Sequence, residues 1–249
     1  MRDRAAFLRP IAHRGLHDAA KGIIENTRAA FEAAIARSYG IECDVRPAGC
    51  GTPMVFHDLK LDRLIDAQGQ LAAHDAAALK RLAYRNVGGA MIDLTELLAL
   101  VDGRVPLLVE IKSEWAAPDE RLLKAIAEAA RGYRGPLALM SFDPAVMAAI
   151  RTLAPDIPRG IVSGQFVADC WWRDQLGPAR AYDLTNLLES GPAAPDFYAY
   201  DVTALPTAIT RFTREVLGLP LFTWTVRSEE QRAVAARWAD APIFEGYEP

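Results

Sequence analysis

His13-Arg14-Gly15 closes the first apolar run of the chain, Pro10-Ile11-Ala12, and three more chemically capable groups follow it. Glu42 and Asp44 stand in Gly40-Ile41-Glu42-Cys43-Asp44-Val45, His57-Asp58 follows Met54-Val55-Phe56, and Glu110 lies in Leu107-Leu108-Val109-Glu110-Ile111-Lys112. Each group sits at or near the end of an apolar run with strand character. Side chains alternate along a strand, so Glu42 and Asp44 share one face and Cys43 takes the other. Two carboxylates side by side are costly unless a cation neutralises them. Oxygen ligands, with no Cys/His cluster at zinc spacing, suit a hard divalent cation such as Mg²⁺ or Ca²⁺. Arg14 and Lys112 add two fixed positive charges, and the set together describes a clamp for an anionic, phosphoryl group. His13 and His57 then supply a base for the attacking oxygen and an acid for the leaving one. The plainer readings are a hydrogen-bonded histidine at a strand end and a buried Glu110–Lys112 ion pair.

Residues so far apart in the chain need a scaffold that gathers them. Strand-like runs lie near 10–14, 40–46, 105–111, 136–142, 158–163, 197–202, 220–226 and 242–246. Helical stretches lie near 27–38, 75–83, 93–101, 119–131, 144–153, 168–188, 204–217 and 228–239. Asn26-Thr27, Asp143-Pro144 and Ser228-Glu229-Glu230 are helix-start signals. Eight strands alternating with helices predict a parallel sheet. The repeat count and 249 residues favour the closed (β/α)8 TIM-type barrel as a single domain. An extra run at 53–57 predicts a hairpin with the second strand, inside a small insertion over roughly 50–100. Only a few residues follow the eighth strand, so the last gap in the helical layer is expected to stay open or to be capped by another segment. Strand C-termini meet on one face of such a barrel, and His13, Glu42, Asp44 and Glu110 all fall there, with His57 just after a strand end.

Composition narrows the function classes. A net charge of −4 gives no electrostatic reason to expect nucleic-acid binding. The three cysteines, Cys43, Cys50 and Cys170, are odd in number and their spacing fits no zinc pattern. With no apolar run long enough to span a membrane and no leader-like N-terminus, a cytoplasmic protein without stable membrane insertion is expected.

The motifs occur in a telling order: His13-Arg14-Gly15, Glu25-Asn26-Thr27, Glu42-Cys43-Asp44-Val45, His57-Asp58, Leu61-Asp62-Arg63, Glu110-Ile111-Lys112, Ser141-Phe142 and Thr223-Trp224-Thr225-Val226. Over nearly the whole chain this resembles the glycerophosphodiester phosphodiesterase family. The resemblance implies a (β/α)8 barrel that cleaves glycerophosphodiesters to glycerol 3-phosphate and an alcohol. It implies Glu42, Asp44 and Glu110 as metal ligands, His13 and His57 as the acid–base pair, and Arg14 and Lys112 as phosphate contacts. Glu25 matches a site-loop acid, and Trp224 is expected as an apolar wall of the site. Departures from the family pattern fall at Ile24, at Arg227 (usually Asn) and at Pro242-Ile243-Phe244-Glu245-Gly246 in the last strand, and they bear on the head group accepted. Trp171-Trp172 are a second candidate for a substrate lip. Two rival readings are a barrel that cleaves phospholipid head groups, as sphingomyelinase D-like proteins do, and a non-catalytic barrel that binds a phosphate ester.

Overall fold

The computed structural model describes residues 4–166 and 173–249. Its nine strands are β1 (Ile11–Ala12), β2 (Gly40–Pro47), β3 (Pro53–Val55), β4 (Leu107–Ile111), β5 (Leu137–Ser141), β6 (Arg159–Ser163), β7 (Phe197–Asp201), β8 (Leu221–Val226) and β9 (Ala241–Phe244). All but β3 run parallel in one sheet, and pairing of β1 with both β2 and β9 closes it into an eight-stranded barrel. The third strand pairs antiparallel with β2, as the hairpin expectation requires.

Inside the barrel, Phe7, Ile11, Leu108, Met140, Val162, Phe197, Phe222 and Ile243 form one apolar cluster. Phe7 comes from α1 (Arg4–Phe7), a single turn ahead of β1, and fills the barrel at the N-terminal ends of the strands. The opposite faces of the strands pack against a helical layer that includes α2 (Arg28–Ala36), α4 (Leu94–Val101), α5 (Glu120–Gly132), α6 (Pro144–Leu153) and α9 (Glu229–Trp238); α3 (Ala76–Leu79) belongs instead to a separate small core, and α7 (Arg173–Thr185) and α8 (Ala208–Arg211) are the other described α-helices between strands. Cys43 is buried in this outer layer, on the far side of β2 from its acidic neighbours.

Several helices start where side-chain chemistry dictates. Asp93 and Glu96 form a reciprocal capping box on α4, and Asp143 caps α6 with Pro144 at its first position. Thr27, not Asn26, caps α2. Other elements are shorter than periodicity predicts. The first strand stops at Ala12 because the chain turns through left-handed conformations at Arg14 (φ 55°) and Gly15 (φ 78°). The Gly15 N–H then donates to the carbonyls of Ala12 and Glu42. A side chain at position 15 would meet Ala30 at 2.9 Å, so only glycine permits this approach. The helix expected over 204–217 is one turn of α8 followed by a wider turn at Phe212–Val216. Gly177 (φ 74°) breaks α7 internally, and the start of the helix expected at 168–188 lies outside the described residues, as do Trp171-Trp172 and Cys170.

The segment with its own small core, around Met54, Phe56, Leu61, Ile65, Leu71, Leu79, Tyr84 and Met91, lies between β2 and α4. The fourth helix, by contrast, packs in the outer layer of the barrel through Leu94, Leu97, Leu98 and Val101. The expected gap after β9 is capped by the chain itself. Tyr247 packs on Phe244 with the rings tilted at 51°, Tyr39 meets the same ring edge-on at 5.0 Å, and Arg232 lies over Tyr247.

Candidate active site

Parallel register builds the acidic floor of the site. Asp44 on β2 lies opposite Glu110 on β4, and Glu42 shares the face of Asp44 two residues earlier. All three carboxylates are buried. Among the described residues they form the one group whose side-chain oxygens lie within 4.8 Å of one another and could hold a metal ion. Lys112 reaches Asp44 at 2.8 Å and Glu110 at 2.6 Å, so the Glu110–Lys112 ion pair exists beside the acidic cluster and not in place of it. Arg14 Nε lies 3.3 Å from the other oxygen of Asp44, which also accepts from Asn26 Nδ2 at 2.8 Å.

These neighbours push the two β2 carboxyls in opposite directions. Burial raises the Asp44 pKa, but the charges of Lys112 and Arg14 against its two oxygens more than offset it and hold Asp44 ionised well below its ordinary range. Glu42 is pushed well up by burial and by the charges of Asp44 and Glu110. Its Oε2 accepts the backbone N–H of Arg14 at 3.0 Å, while its buried Oε1 has no hydrogen-bond partner. A buried carboxylate oxygen left unpaired beside two more carboxylates is the donor set a hard divalent cation would complete, so the residues present fit one.

The two histidines are held alike. His13 follows β1, and its Nδ1 donates to Glu245 at 2.7 Å just beyond the end of β9. His57 follows β3, and its Nδ1 donates to Asp58 at 2.8 Å. A carboxylate can only accept, so Nδ1 carries a proton in each ring and Nε2 is the atom left to take or give one. The Nε2 of His13 lies 3.9 Å from Glu42. Burial lowers the His13 pKa despite the hydrogen bond to Glu245, keeping that ring neutral, while the same bond and the Arg227 contact draw Glu245 down to about 2 against the effect of its burial. Arg227 reaches Glu245 at 3.1 Å.

A cavity of about 530 Å³ opens over this floor. His13, Arg14, Glu42, His57, Glu110, Lys112 and Trp224 all line it. Trp224 stands on β8, meets Phe142 edge-on at 5.2 Å and anchors its indole N–H on the Ala199 carbonyl at 3.2 Å. Glu25 stands behind Arg14, with its oxygens on Arg14 (2.7 Å) and on Arg63 (2.7 and 2.9 Å). Sequence reasoning passed over the parts played by Asn26, Arg46, Asp58 and Arg63. Asn26 reads as a helix cap but, with φ 56°, turns its amide onto Asp44 instead. Arg46 shares the strand face of Glu42 and Asp44, a signal that could have found it, and its Nε donates to the His57 carbonyl at 2.6 Å. Glu245 and Arg227 read as influences on the head group, and the structure ties Glu245 to His13 and Arg227 to Glu245.

The chain is similar to known proteins in sequence and in fold. The chain is 26% identical over 231 residues to a glycerophosphodiester phosphodiesterase of Caldanaerobacter subterraneus subsp. tengcongensis, covering 88% of this chain and 86% of the relative. Its fold matches an Oleispira antarctica phosphodiesterase solved in complex with the product sn-glycerol-3-phosphate, with a TM-score of 0.73, 21% identity, and coverage of 95% and 92% of the two chains. It also matches a Thermotoga maritima glycerophosphodiester phosphodiesterase, with a TM-score of 0.70, 21% identity, and coverage of 95% and 93%. No described helix is long and apolar enough to cross a membrane. The profile of the glycerophosphoryl diester phosphodiesterase family matches residues 13–244, from the first histidine to the end of the last barrel strand, and the chain belongs to that family.

Proposed function

We propose that this chain hydrolyses glycerophosphodiesters to sn-glycerol 3-phosphate and an alcohol, within a single barrel domain. The observation that carries the reading is the meeting of two carboxylate-held histidines with a buried, incompletely paired acidic group in one cavity. Glu42, Asp44 and Glu110 would hold a divalent cation, Mg²⁺ or Ca²⁺. When bound, such a cation offsets the phosphate charge and stabilises charge growing on its oxygens. Arg14 and Lys112 orient the phosphate, with their own charges held by Asp44 and its neighbours. His13, neutral and fixed by Glu245, accepts at Nε2 the proton of the oxygen that attacks phosphorus, either water directly or the substrate's own 2-hydroxyl followed by water that opens the cyclic phosphate, as the bond from phosphorus to the alcohol oxygen breaks. His57 delivers a proton from Nε2 to the departing alkoxide, so one proton is taken up and one released per turnover. Trp224 and Phe142 wall the cavity against water.

The test is release of glycerol 3-phosphate from glycerophosphocholine, glycerophosphoethanolamine and glycerophosphoglycerol, with Mg²⁺, with Ca²⁺ and with EDTA. Release that depends on the cation supports the reading and ranks head groups. A folded, cation-loaded protein that cleaves none of the three overturns it.

A further inference from the structure

Arg63 comes from the small-core segment between β2 and α4, yet its guanidinium is committed to two carboxylates that serve opposite sides of the site. Its Nε and Nη2 donate to Asp58 at 2.6 and 3.0 Å, and its Nη1 and Nη2 donate to Glu25 at 2.9 and 2.7 Å. Asp58 in turn accepts from His57 Nδ1 at 2.8 Å, and Glu25 from Arg14 at 2.7 Å. One planar fork therefore joins the segment that carries His57 to the loop between β1 and α2 that carries Glu25 and braces Arg14. Four bonds in fixed fork geometry are what only an arginine supplies, since a lysine ammonium is a point charge on a flexible stem. The side chain is 46% exposed. Its worth therefore lies in geometry rather than in ion-pair strength, which water screens.

We infer that Arg63 is a positioning residue that sets His57 through Asp58 and Arg14 through Glu25, locking the segment onto the barrel in the arrangement the reaction needs. The inference rests on the proposed diester hydrolysis. The two arms act on different steps. The Asp58 arm holds the ring that moves a proton, and the Glu25 arm holds the guanidinium that meets the phosphate. Loss of Arg63 frees both at once.

The experiment compares wild type with Arg63→Ala, Arg63→Lys, Asp58→Asn and Glu25→Gln in steady-state kinetics on the best glycerophosphodiester. Glycerol 3-phosphate affinity is measured by calorimetry as a readout that needs no turnover. Asp58→Asn is expected to lower kcat with KM little changed. Glu25→Gln is expected to raise KM and weaken glycerol 3-phosphate binding with kcat little changed. Arg63→Ala should do both and lose about 100-fold in kcat/KM, the scale of a small misplacement of reacting groups. Arg63→Lys should recover little of it, and added guanidinium chloride should restore part of the Arg63→Ala loss without activating wild type. Arg63→Ala with kcat, KM and product affinity within threefold of wild type would overturn the inference. So would a loss that guanidinium leaves untouched and that follows a fall in Tm, because that is the mark of a merely structural residue. A wild-type protein that binds glycerol 3-phosphate but cleaves no diester would count against the proposed function, while the effect of the variants on product binding would still test the clamp.

Discussion

At the scale of single residues, the site is a contest between burial and neighbouring charge. Asp44 has two cations and an amide on its oxygens, and it stays ionised. Glu42 has one backbone N–H and an unpaired oxygen, and burial makes its charge expensive. A carboxyl whose folded pKa is raised weakens the fold as pH rises past its ordinary value, so at neutral pH the cation-free protein carries that cost. Mg²⁺ or Ca²⁺ at 100 times its Kd should therefore stabilise wild type by about 2.7 kcal/mol, read as a rise in Tm. Glu42→Gln should raise the Tm of the cation-free protein and abolish the cation-induced rise, and an undiminished rise would remove Glu42 from the ligand set. His57→Ala should cost about 10²–10⁴-fold in kcat with Tm within a few degrees of wild type, because the ring is held only at the cavity edge. Near-wild-type turnover in that variant would sink the acid–base assignment.

At the scale of elements, loops carry as much of the site as strands do. The left-handed turn at Arg14-Gly15 aims the Arg14 backbone N–H at Glu42 and its side chain at Asp44 and Glu25. Gly15→Ala would place a methyl 2.9 Å from Ala30 in a conformation costly for alanine, and should destabilise by about 1–3 kcal/mol in urea unfolding. The same change should lower glycerol 3-phosphate affinity, since Arg14 moves with the turn. Glu25 and Asp58 join the loop to the small-core segment. Burial raises both pKa values, but Arg63 and Arg14 at Glu25, and the His57 and Arg63 hydrogen bonds at Asp58, leave both below the ordinary carboxylate range. Carboxyls lowered in this way add stability that is complete above that range and is lost as pH falls through the lowered values. Wild-type Tm should therefore fall from about pH 4 downward, near the unperturbed carboxylate pKa. A Glu25→Gln, Asp58→Asn double variant should have a lower Tm at pH 7 and a shallower acid limb, and parallel Tm–pH curves would refute this.

At the scale of the whole molecule, stability and chemistry occupy opposite ends of the barrel. Phe7 fills the N-terminal end, fully buried among Ile11, Leu108, Phe197 and Phe222, while the acidic floor sits at the C-terminal end. Phe7→Ala should cost about 3–5 kcal/mol of unfolding free energy, as large-to-small changes in packed cores do. Its kcat and KM should match wild type below the lowered Tm, and a comparable loss of kcat would show that the two ends are coupled.

Local pattern made much of this protein legible in its sequence. Apolar runs ending in His13, Glu42 with Asp44, and Glu110 located those strands and their active ends, and alternation put Glu42 and Asp44 on one face because it is a property of the strand alone. Helix starts at Thr27, Asp143 and Ser228 were readable because a cap needs only its own first turn. Tertiary structure decided what depends on partners far away in the chain. It set Asp44 against Glu110 through the β2–β4 register and turned Asn26 from a helix cap into a ligand of Asp44. It brought Glu245 to His13 across 232 positions and gathered Glu25 and Asp58 onto Arg63. No local period encodes such contacts, because closing the barrel is what brings the first strand beside the last.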